Sequence, residues 1–296
     1  MSVWMIMTVC LEQIEVLRDH TYHRTPDRRV QSQEAALTFV EEVGFCFLFG
    51  DKGAEIPTLW AATVGSRRPQ PRSNRDPDVG RVWRWKDILP AEGALFYGKL
   101  LRGKPTLVAL DWLPAFYALS PNYGALDDYE TQYADGLMTV EAKNIYEALL
   151  EEGALATSRL RQVAGLSGGG SNARRFDRAL AELQQELKIA KVGVSDANRW
   201  GYAYVYDLFL RRFPDVPEKA RALSTDEAQD RLLLQYLRNV VAQTEAATQR
   251  LFRWDDWEWS RALERLEKRG LLRRNVRIEG LKGRCLLTTD SDIRQD

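Results

Sequence analysis

The same order of predicted elements occurs twice in the chain, and this repeat is the strongest constraint on its fold. Residues 139–206 hold three amphipathic helical patterns and then two strand-like stretches, and residues 224–289 hold the same series. The helical patterns place apolar side chains three and four residues apart, whereas the strand-like stretches are short and bounded by turn residues. Three helices followed by a two-stranded hairpin is the order of a winged helix-turn-helix. We therefore predict a mostly helical α+β fold that contains tandem winged helix-turn-helix units.

The repeat also sets the predicted domain boundaries. At 296 residues the chain is long enough for two average domains, or for three or four small ones. We predict an aromatic-rich, winged-helix-like N-terminal domain over 1–134, a winged-helix domain over 135–222 and a C-terminal winged-helix domain over 223–296. Within the first domain, apolar residues at helical spacing predict a helix over 33–43 that ends at Gly44. The apolar run 45–49 that follows predicts a buried strand.

Charge is distributed unevenly, although the chain as a whole is neutral. It has 42 Lys and Arg against 42 Asp and Glu, which excludes a uniformly basic, histone-like binder. Residues 60–104 hold ten basic and four acidic side chains, whereas residues 105–158 hold one basic and nine acidic side chains. The first block indicates a surface that faces a polyanion, and the second is a candidate face for a protein partner.

Several classes of protein are excluded by what the sequence lacks. The three cysteines lie far apart and the only two histidines are His20 and His23, so no spacing is typical of a zinc site or a disulfide framework. The chain contains no phosphate-binding, dinucleotide-binding or hydrolase signature. No apolar run reaches the roughly 18 residues of a membrane-spanning helix, and the first residues lack the basic start of a signal peptide. We therefore expect a cytoplasmic protein without a bound metal or cofactor.

Basic residues at particular points of the chain are the candidate contacts to duplex DNA. In a DNA-binding winged helix the start of the third helix enters the major groove, where Arg contacts guanine and Asn contacts adenine. Here that helix begins with one Asn and three Arg, and the hairpins add further basic side chains. For each of them, the alternative is an ordinary solvated surface. The candidate DNA-binding residues are Arg67, Arg68, Arg72, Asn172, Arg174, Arg175, Arg178, Arg199, Arg273 and Arg274.

Tryptophans lie beside charged residues in two further segments. Residues 83–86 alternate Trp with Arg and Lys, which fits either a nucleic-acid surface or a strand with buried Trp and exposed cations. The three tryptophans of residues 254–259 could stack on bases, but the three acidic residues among them would repel phosphate. We therefore expect core packing and helix capping in the second segment.

Long stretches of the chain resemble a known family. The stretches are 35–49, 82–89, 97–106, 118–133 and 139–206. They are similar to bacterial proteins of the AlkZ-related group, the relatives of the AlkZ (YcaQ-type) DNA glycosylases. That resemblance implies a fold of tandem winged-helix units that cradles duplex DNA. It also implies enzymes that unhook interstrand crosslinks and remove alkylated purines.

The catalytic signature of those glycosylases is missing. They carry Gln-aliphatic-Gln after a helix that ends in Gly, where it positions the attacking water, but here Gly44 is followed by Phe45-Cys46-Phe47. Apolar side chains cannot orient water, so no catalytic residue is carried over. The first hypothesis is therefore a DNA-binding member of the group without base excision.

Two alternatives follow from the same residues. One is a glycosylase that positions water with a different acidic side chain, and the other is a winged-helix scaffold that binds a protein partner through residues 105–158. The candidate acids for the first alternative are Asp87, Asp111, Asp127 and Asp128. Release of alkylated bases separates the glycosylase from the first hypothesis, and salt-dependent binding of duplex DNA separates both from the scaffold.

Overall fold

The computed structural model describes residues 9–72, 75–196 and 201–289. The chain packs into two compact units, which we call unit 1 and unit 2. Unit 1 combines Met1–Val79 with Gln229–Asp296, and unit 2 is Gly80–Ala228. The three-domain division predicted from the sequence stays a prediction, because contacts within the folded chain do not say which segments fold alone.

The N-terminal segment of unit 1 contains the predicted helix over 33–43. Its elements are β1 (Val9–Cys10), α1 (Leu11–Thr21), α2 (Gln33–Val43), β2 (Phe45–Phe47) and α3 (Leu59–Val64). The Ser32 side chain accepts a hydrogen bond from Ala35 N at 3.1 Å and so caps the start of α2. Gly44, with a φ of 76°, ends the helix, since glycine adopts this conformation without steric cost. The helix and the buried strand predicted here are confirmed.

The segment of alternating Trp and basic residues is helical. The elements that follow β2 and α3 are α4 (Pro77–Glu92), β3 (Leu95–Gly98), β4 (Thr106–Ala109), α5 (Leu113–Ala118) and α6 (Asp128–Ala134). Val82, Trp85, Lys86 and Leu89 are all buried, at the three- and four-residue spacing of one helix face. The strand interpretation of residues 83–86 is therefore wrong: helical periodicity buries Lys86 together with its apolar neighbours.

The middle repeat has the predicted order of three helices and a hairpin. Its elements are α7 (Val140–Glu152), β5 (Leu155–Ala156), α8 (Thr157–Val163), α9 (Ser171–Gln185), β6 (Ile189–Ser195) and β7 (Ala203–Leu208). The strands form an antiparallel sheet in the order β5-β7-β6. Phe176, Leu180 and Leu183 of α9 are buried in the core of this segment, as predicted. The short helices α10 (Phe209–Arg212) and α11 (Val216–Arg221) follow.

The last repeat has the same order. Its elements are α12 (Thr225–Val240), β8 (Ala242–Thr244), α13 (Glu245–Phe252), α14 (Asp256–Lys268), β9 (Leu272–Val276), β10 (Ile278–Glu279) and β11 (Cys285–Thr288). Strands β8, β11 and β9 form an antiparallel sheet, and the α14 residues Trp259, Leu263 and Leu266 are buried. The mostly helical α+β fold class is confirmed, while the assignment of the two repeats as winged helices stays a prediction.

Residues from opposite ends of the chain hold unit 1 together. Strand β1 pairs in parallel with β10, with Val9 opposite Ile278. The buried guanidinium of Arg18 donates hydrogen bonds to the carbonyl oxygens of Val240 at 2.9 Å and Ala242 at 2.7 Å. Charge-assisted bonds of this kind are about twice as strong as neutral ones. The first residues described are therefore an integral part of the core of the C-terminal repeat.

Candidate nucleic-acid interface

The start of α9 and the neighbouring α8 form a basic surface in unit 2. We call it the α8–α9 surface and define it by five arginines, Arg159, Arg161, Arg174, Arg175 and Arg178. A single acidic residue of these two helices, Asp177, lies in the same stretch up to residue 178. Because Phe176, Ala179 and Leu180 face the core, the intervening arginines are directed outwards.

The arginines of the α8–α9 surface differ in how far they are neutralised. Arg175 pairs with Glu141 of α7 at 2.6 Å, and Arg161 pairs with Asp177 at 2.7 Å. The side chains of Arg174 and Arg178 are exposed, and within the described part of the chain neither forms an ion pair or a side-chain hydrogen bond. Arg178 is nevertheless near enough to Glu141 to contribute, with a backbone hydrogen bond and Arg175, to the lowered pKa of that carboxyl. These two side chains are therefore the ones on this surface that are most available to an external anion.

Asn172 has a structural contact at the start of the same helix. Its side-chain amide donates to the Ser167 carbonyl oxygen at 2.9 Å and so closes the glycine-rich turn between α8 and α9. Its side-chain oxygen is left over for other partners. One of the two N–H donors of the amide that would read an adenine is thus engaged within the turn, which restrains the side chain.

The loop that follows α3 carries three of the predicted DNA contacts in unit 1. The Arg67 guanidinium makes a bidentate pair of hydrogen bonds to the Asp19 carboxylate, and the shorter N–O distance is 2.6 Å. Arg68 pairs with Asp76, and its guanidinium lies 5.3 Å from the centre of the Trp60 ring. Arg72 is exposed. Arg67 and Arg68 therefore fix the loop, and of the three Arg72 is the least constrained.

The remaining predicted contacts lie on or near the two hairpins. Arg273 is exposed on β9, and the half-buried Arg274 lies 3.4 Å from the Glu245 carboxylate. Arg199 lies outside the described residues. The nine predicted contacts that the structure describes are thus distributed between α9, the loop after α3, and β9.

The position expected to hold a water-orienting group is fully apolar. Phe45, Cys46 and Phe47 of β2 are each at most 1 % exposed. Burial raises the pKa of the Cys46 thiol, which therefore stays neutral and unreactive near pH 7. Strand β2 supplies neither a base nor an oriented amide to an attacking water.

Asp87, the first of the four alternative acids, is held by buried ammonium groups. Asp87 accepts hydrogen bonds from Lys86 at 2.6 Å, from Tyr202 at 2.8 Å and from Lys191. Burial acts to raise the pKa of Asp87, but the bonds from the two ammonium groups outweigh it and lower that pKa. A carboxylate bound by three donors is a poor proton acceptor.

The other three acids differ in their environments. Asp128 accepts from Lys188 and from the Tyr123 backbone N–H, both at 2.8 Å. Asp111 and Asp127 are exposed. Of the four acids, these two are therefore the most accessible to water and to a nucleic acid.

A cluster of two buried lysines and two half-buried tyrosines surrounds Asp87, and sequence analysis did not predict it. We call it the Asp87 cluster and define it by Lys86, Asp87, Lys191, Tyr202 and Tyr204. The Lys86 ammonium also donates to Tyr204 at 2.9 Å. Burial, and then the nearby Lys86, lower the pKa of Lys191 to about 7. The one sequence feature that points to this cluster is Lys86, a charged residue at a core position of α4. That position is recognisable only when the segment is taken as a helix.

The tryptophans of residues 254–259 are mostly structural. Trp259 is buried and Trp254 stacks on Phe252 at 4.7 Å between ring centres, so core packing is confirmed for both. Asp255 and Glu258 form the capping box that starts α14. Trp257 differs, since it is 60 % exposed.

No group of three or more metal-ligating side chains occurs among the residues that the structure describes. His23 instead hydrogen-bonds to Glu42 at 2.8 Å, and Arg28 lies within hydrogen-bond distance of both histidines, His20 and His23. Over the same residues, no helix is both long enough and apolar enough to cross a membrane.

Comparisons with known proteins identify the family of the chain. Comparison with curated proteins finds no match. The structure is similar to that of the DNA glycosylase AlkZ from Streptomyces sahachiroi, with a TM-score of 0.59 over 96 % of this chain and 71 % of that one. At 16 % sequence identity, this likeness shows a shared fold. The model of the family described as "AlkZ related" matches residues 30–253, about three quarters of the sequence, and the chain therefore belongs to the AlkZ-related family.

Proposed function

We propose that the chain binds duplex DNA through the α8–α9 surface and with little preference for sequence. The observation that carries this proposal is the pair Arg174 and Arg178 in the N-terminal half of α9, whose exposed side chains form no ion pair with a carboxylate among the described residues. Exposed cations in this part of a helix favour phosphate through their charge, and the helix dipole adds to this at the first turn, near Arg174. The structural relative is a DNA glycosylase, which supports a nucleic-acid partner.

Little sequence preference follows from the same contacts. Phosphate contacts position a protein on DNA without reading its bases. Asn172, the side chain best suited to reading adenine, is restrained by the bond that one of its N–H groups donates to Ser167 within the turn. The contacts that we propose are therefore mainly to the backbone of the duplex.

Substitution of Arg174 and Arg178 by Ala tests this interface. The double variant should weaken binding to all duplexes similarly. It should also reduce the steepness of log affinity against log salt concentration by at most about two units, because each lost phosphate contact removes about 0.9. A double variant of Arg174 and Arg175 would test the interface less directly, because Arg175 is already bonded to Glu141. Fluorescence anisotropy with labelled duplexes at several salt concentrations measures both quantities.

The matched control removes two equally exposed cations elsewhere in unit 2. Lys219 and Arg221 lie on α11, and Arg221 forms an ion pair with its neighbour Glu218 at 2.8 Å. Replacing both by Ala should leave affinity and salt dependence close to those of the wild type. If the two double variants lose equal affinity for duplex DNA, the net charge of the protein, and not the α8–α9 surface, governs binding.

We also propose that the chain does not excise alkylated bases. Glycosidic hydrolysis needs a polar group that places and polarises water, and β2 offers Phe45, Cys46 and Phe47 there. Of the alternative acids, Asp87 and Asp128 are bound in ion pairs. We therefore expect single-turnover assays with N-alkylated purines in duplex DNA to give base release no faster than without protein.

Clear release by the pure protein would contradict that expectation and favour the glycosylase alternative. In that case Asp127→Asn is the first variant to examine, because Asp127 is exposed at the start of α6. Loss of release in that variant would identify the acid that replaces the missing amides. Retained binding of duplex by the same variant would show that its fold is intact.

A protein-binding scaffold is the second candidate function. Residues 105–158, which are strongly acidic, also expose large apolar side chains. The exposed ones are Leu110, Tyr123, Leu126, Tyr133, Leu137 and Val140. Exposed apolar groups with an acidic surrounding are typical of a protein interface. This candidate becomes the better account if the wild-type protein shows no salt-dependent binding to duplex DNA.

A further inference from the structure

A basic cleft lies in unit 1, beside the start of α13. Its volume is about 610 Å³, which is within the range of sites that hold small ligands. Its walls are the first residues of α13, the end of β9 and the turn that leads into β11. The cleft contains the side chains of Arg250, Arg274, Lys282 and Arg284, and a single acid, Glu245.

The positive charge of this cleft is largely uncompensated. Arg250, Lys282 and Arg284 are exposed, and among the described residues their side chains form no ion pair or hydrogen bond. The Glu245 carboxylate lies 3.4 Å from Arg274, and it also accepts from the Trp259 indole N–H at 3.4 Å. Among the described residues, one acid therefore lines the cleft together with four cations, and the three exposed cations form no ion pair there. The cleft thus carries a net positive charge that favours an anion.

The shape and chemistry of the cleft favour phosphate among the anions. A guanidinium presents a planar fork of N–H groups that matches two oxygens of a phosphate, and three of the four cations are arginines. The start of α13 adds the positive end of its dipole, and its Thr244 side chain already accepts from the Ala247 N–H at 3.3 Å. Several cations around one cavity can hold more than one phosphate oxygen at once.

We propose that this cleft binds phosphate groups. Two sources have this chemistry, the backbone of duplex DNA and a free polyphosphate. If the source is DNA, the cleft is a second contact, and that part of the inference rests on the proposed function. Because Arg274 is already paired with Glu245, substitution of Arg250 and Arg284 tests the cleft more directly.

The test compares two double variants of the full chain. In the first, Arg250→Gln is combined with Arg284→Gln, which removes two cations of the cleft. In the control, Lys52→Gln is combined with Lys268→Gln, which removes two exposed cations of unit 1 that do not line the cleft. All four positions are exposed, so neither variant disturbs the core. Binding of pyrophosphate at low ionic strength is measured by calorimetry.

The wild type and the control are expected to bind pyrophosphate, and the cleft variant to bind it more than about tenfold more weakly, because it loses two charge-assisted contacts. Equal binding by all three proteins, or no binding by the wild type, would overturn the proposal. The same proteins are then titrated with duplex DNA. If the slope of log affinity against log salt concentration is less steep by about two units in the cleft variant, the site binds the DNA backbone. If that slope is unchanged, the site binds a free polyphosphate.

These outcomes are independent of those for the α8–α9 surface. If the chain fails to bind duplex but the cleft binds pyrophosphate, the proposed function fails and the phosphate site stands. If duplex binding depends on Arg174 and Arg178 while pyrophosphate does not bind, the phosphate site fails and the proposed function stands.

Discussion

Replacing Lys188 by Met is expected to destabilise the protein by about 3–5 kcal/mol. The Lys188 ammonium lies 2.8 Å from the Asp128 carboxylate, and both side chains are buried, at 0 % and 7 % exposure. Without Lys188, Asp128 becomes a buried charge whose remaining bond in the described structure comes from the Tyr123 N–H. Removing one partner of a buried pair costs far more than the pair itself contributes, because the other charge stays desolvated. Chemical denaturation at pH 7 measures the difference.

Replacing Lys191 by Met is expected to cost much less, within about 1 kcal/mol of the wild type. Lys191 shares the Asp87 carboxylate with Lys86 and Tyr202, and these two donors remain when it is lost. The same substitution at two buried lysines is therefore expected to cause losses of very different size, since one leaves a carboxylate without a cation and the other does not.

A double variant separates charge from packing. In Lys188→Met combined with Asp128→Asn, no charge is left unpaired, so most of the stability should return. If the double variant is as unstable as Lys188→Met alone, the loss comes from packing. If Lys191→Met is as damaging as Lys188→Met, the account of shared and unshared carboxylates is wrong.

The stability of the protein is expected to rise with pH between about 7 and 10.5 through Lys191. Burial, and then Lys86, lower the pKa of Lys191 from 10.5 to about 7. Between these values the unfolded chain holds a proton on this amine that the folded chain has released. Stability increases with pH wherever the unfolded state binds more protons, so this contribution is absent below about pH 7 and complete above about pH 10.5.

The difference between wild type and Lys191→Met isolates that contribution. The free energy of unfolding of the wild type, relative to the variant, should increase steadily as the pH rises from 7 to 10. A difference that is flat over this range, or that falls, would show that Lys191 stays protonated in the folded protein, close to its ordinary behaviour in water.

Local patterns predicted the helices and the order of the repeats. Residues 33–43 keep apolar side chains at helical spacing between a Ser and a Gly, and the structure places α2 at those bounds. The third helix of the middle repeat, α9, has Phe176, Leu180 and Leu183 on one face, and the structure buries all three. Such features depend on residues a few positions apart, which is why periodicity finds them.

The Asp87 cluster could not be predicted from periodicity. Lys86 and Lys191 are more than one hundred residues apart, and their contact with Asp87 depends on α4 packing against the β6–β7 hairpin. The parallel pairing of β1 with β10 joins residues that are still farther apart. The cations of the basic cleft likewise come from α13, β9 and the turn before β11. In each of these cases tertiary packing assembles side chains that carry no shared local signal.

A salt titration of duplex binding by the wild-type protein tests the central claim most directly. Two unrelated duplexes of equal length are compared by anisotropy at increasing salt, starting from low ionic strength. The proposed backbone contacts predict similar affinities for the two duplexes and a linear fall of log affinity with log salt concentration, by about 0.9 for each phosphate contacted. The absence of salt-dependent binding at low ionic strength would contradict the account. A strong preference for one duplex over the other would contradict binding through the backbone.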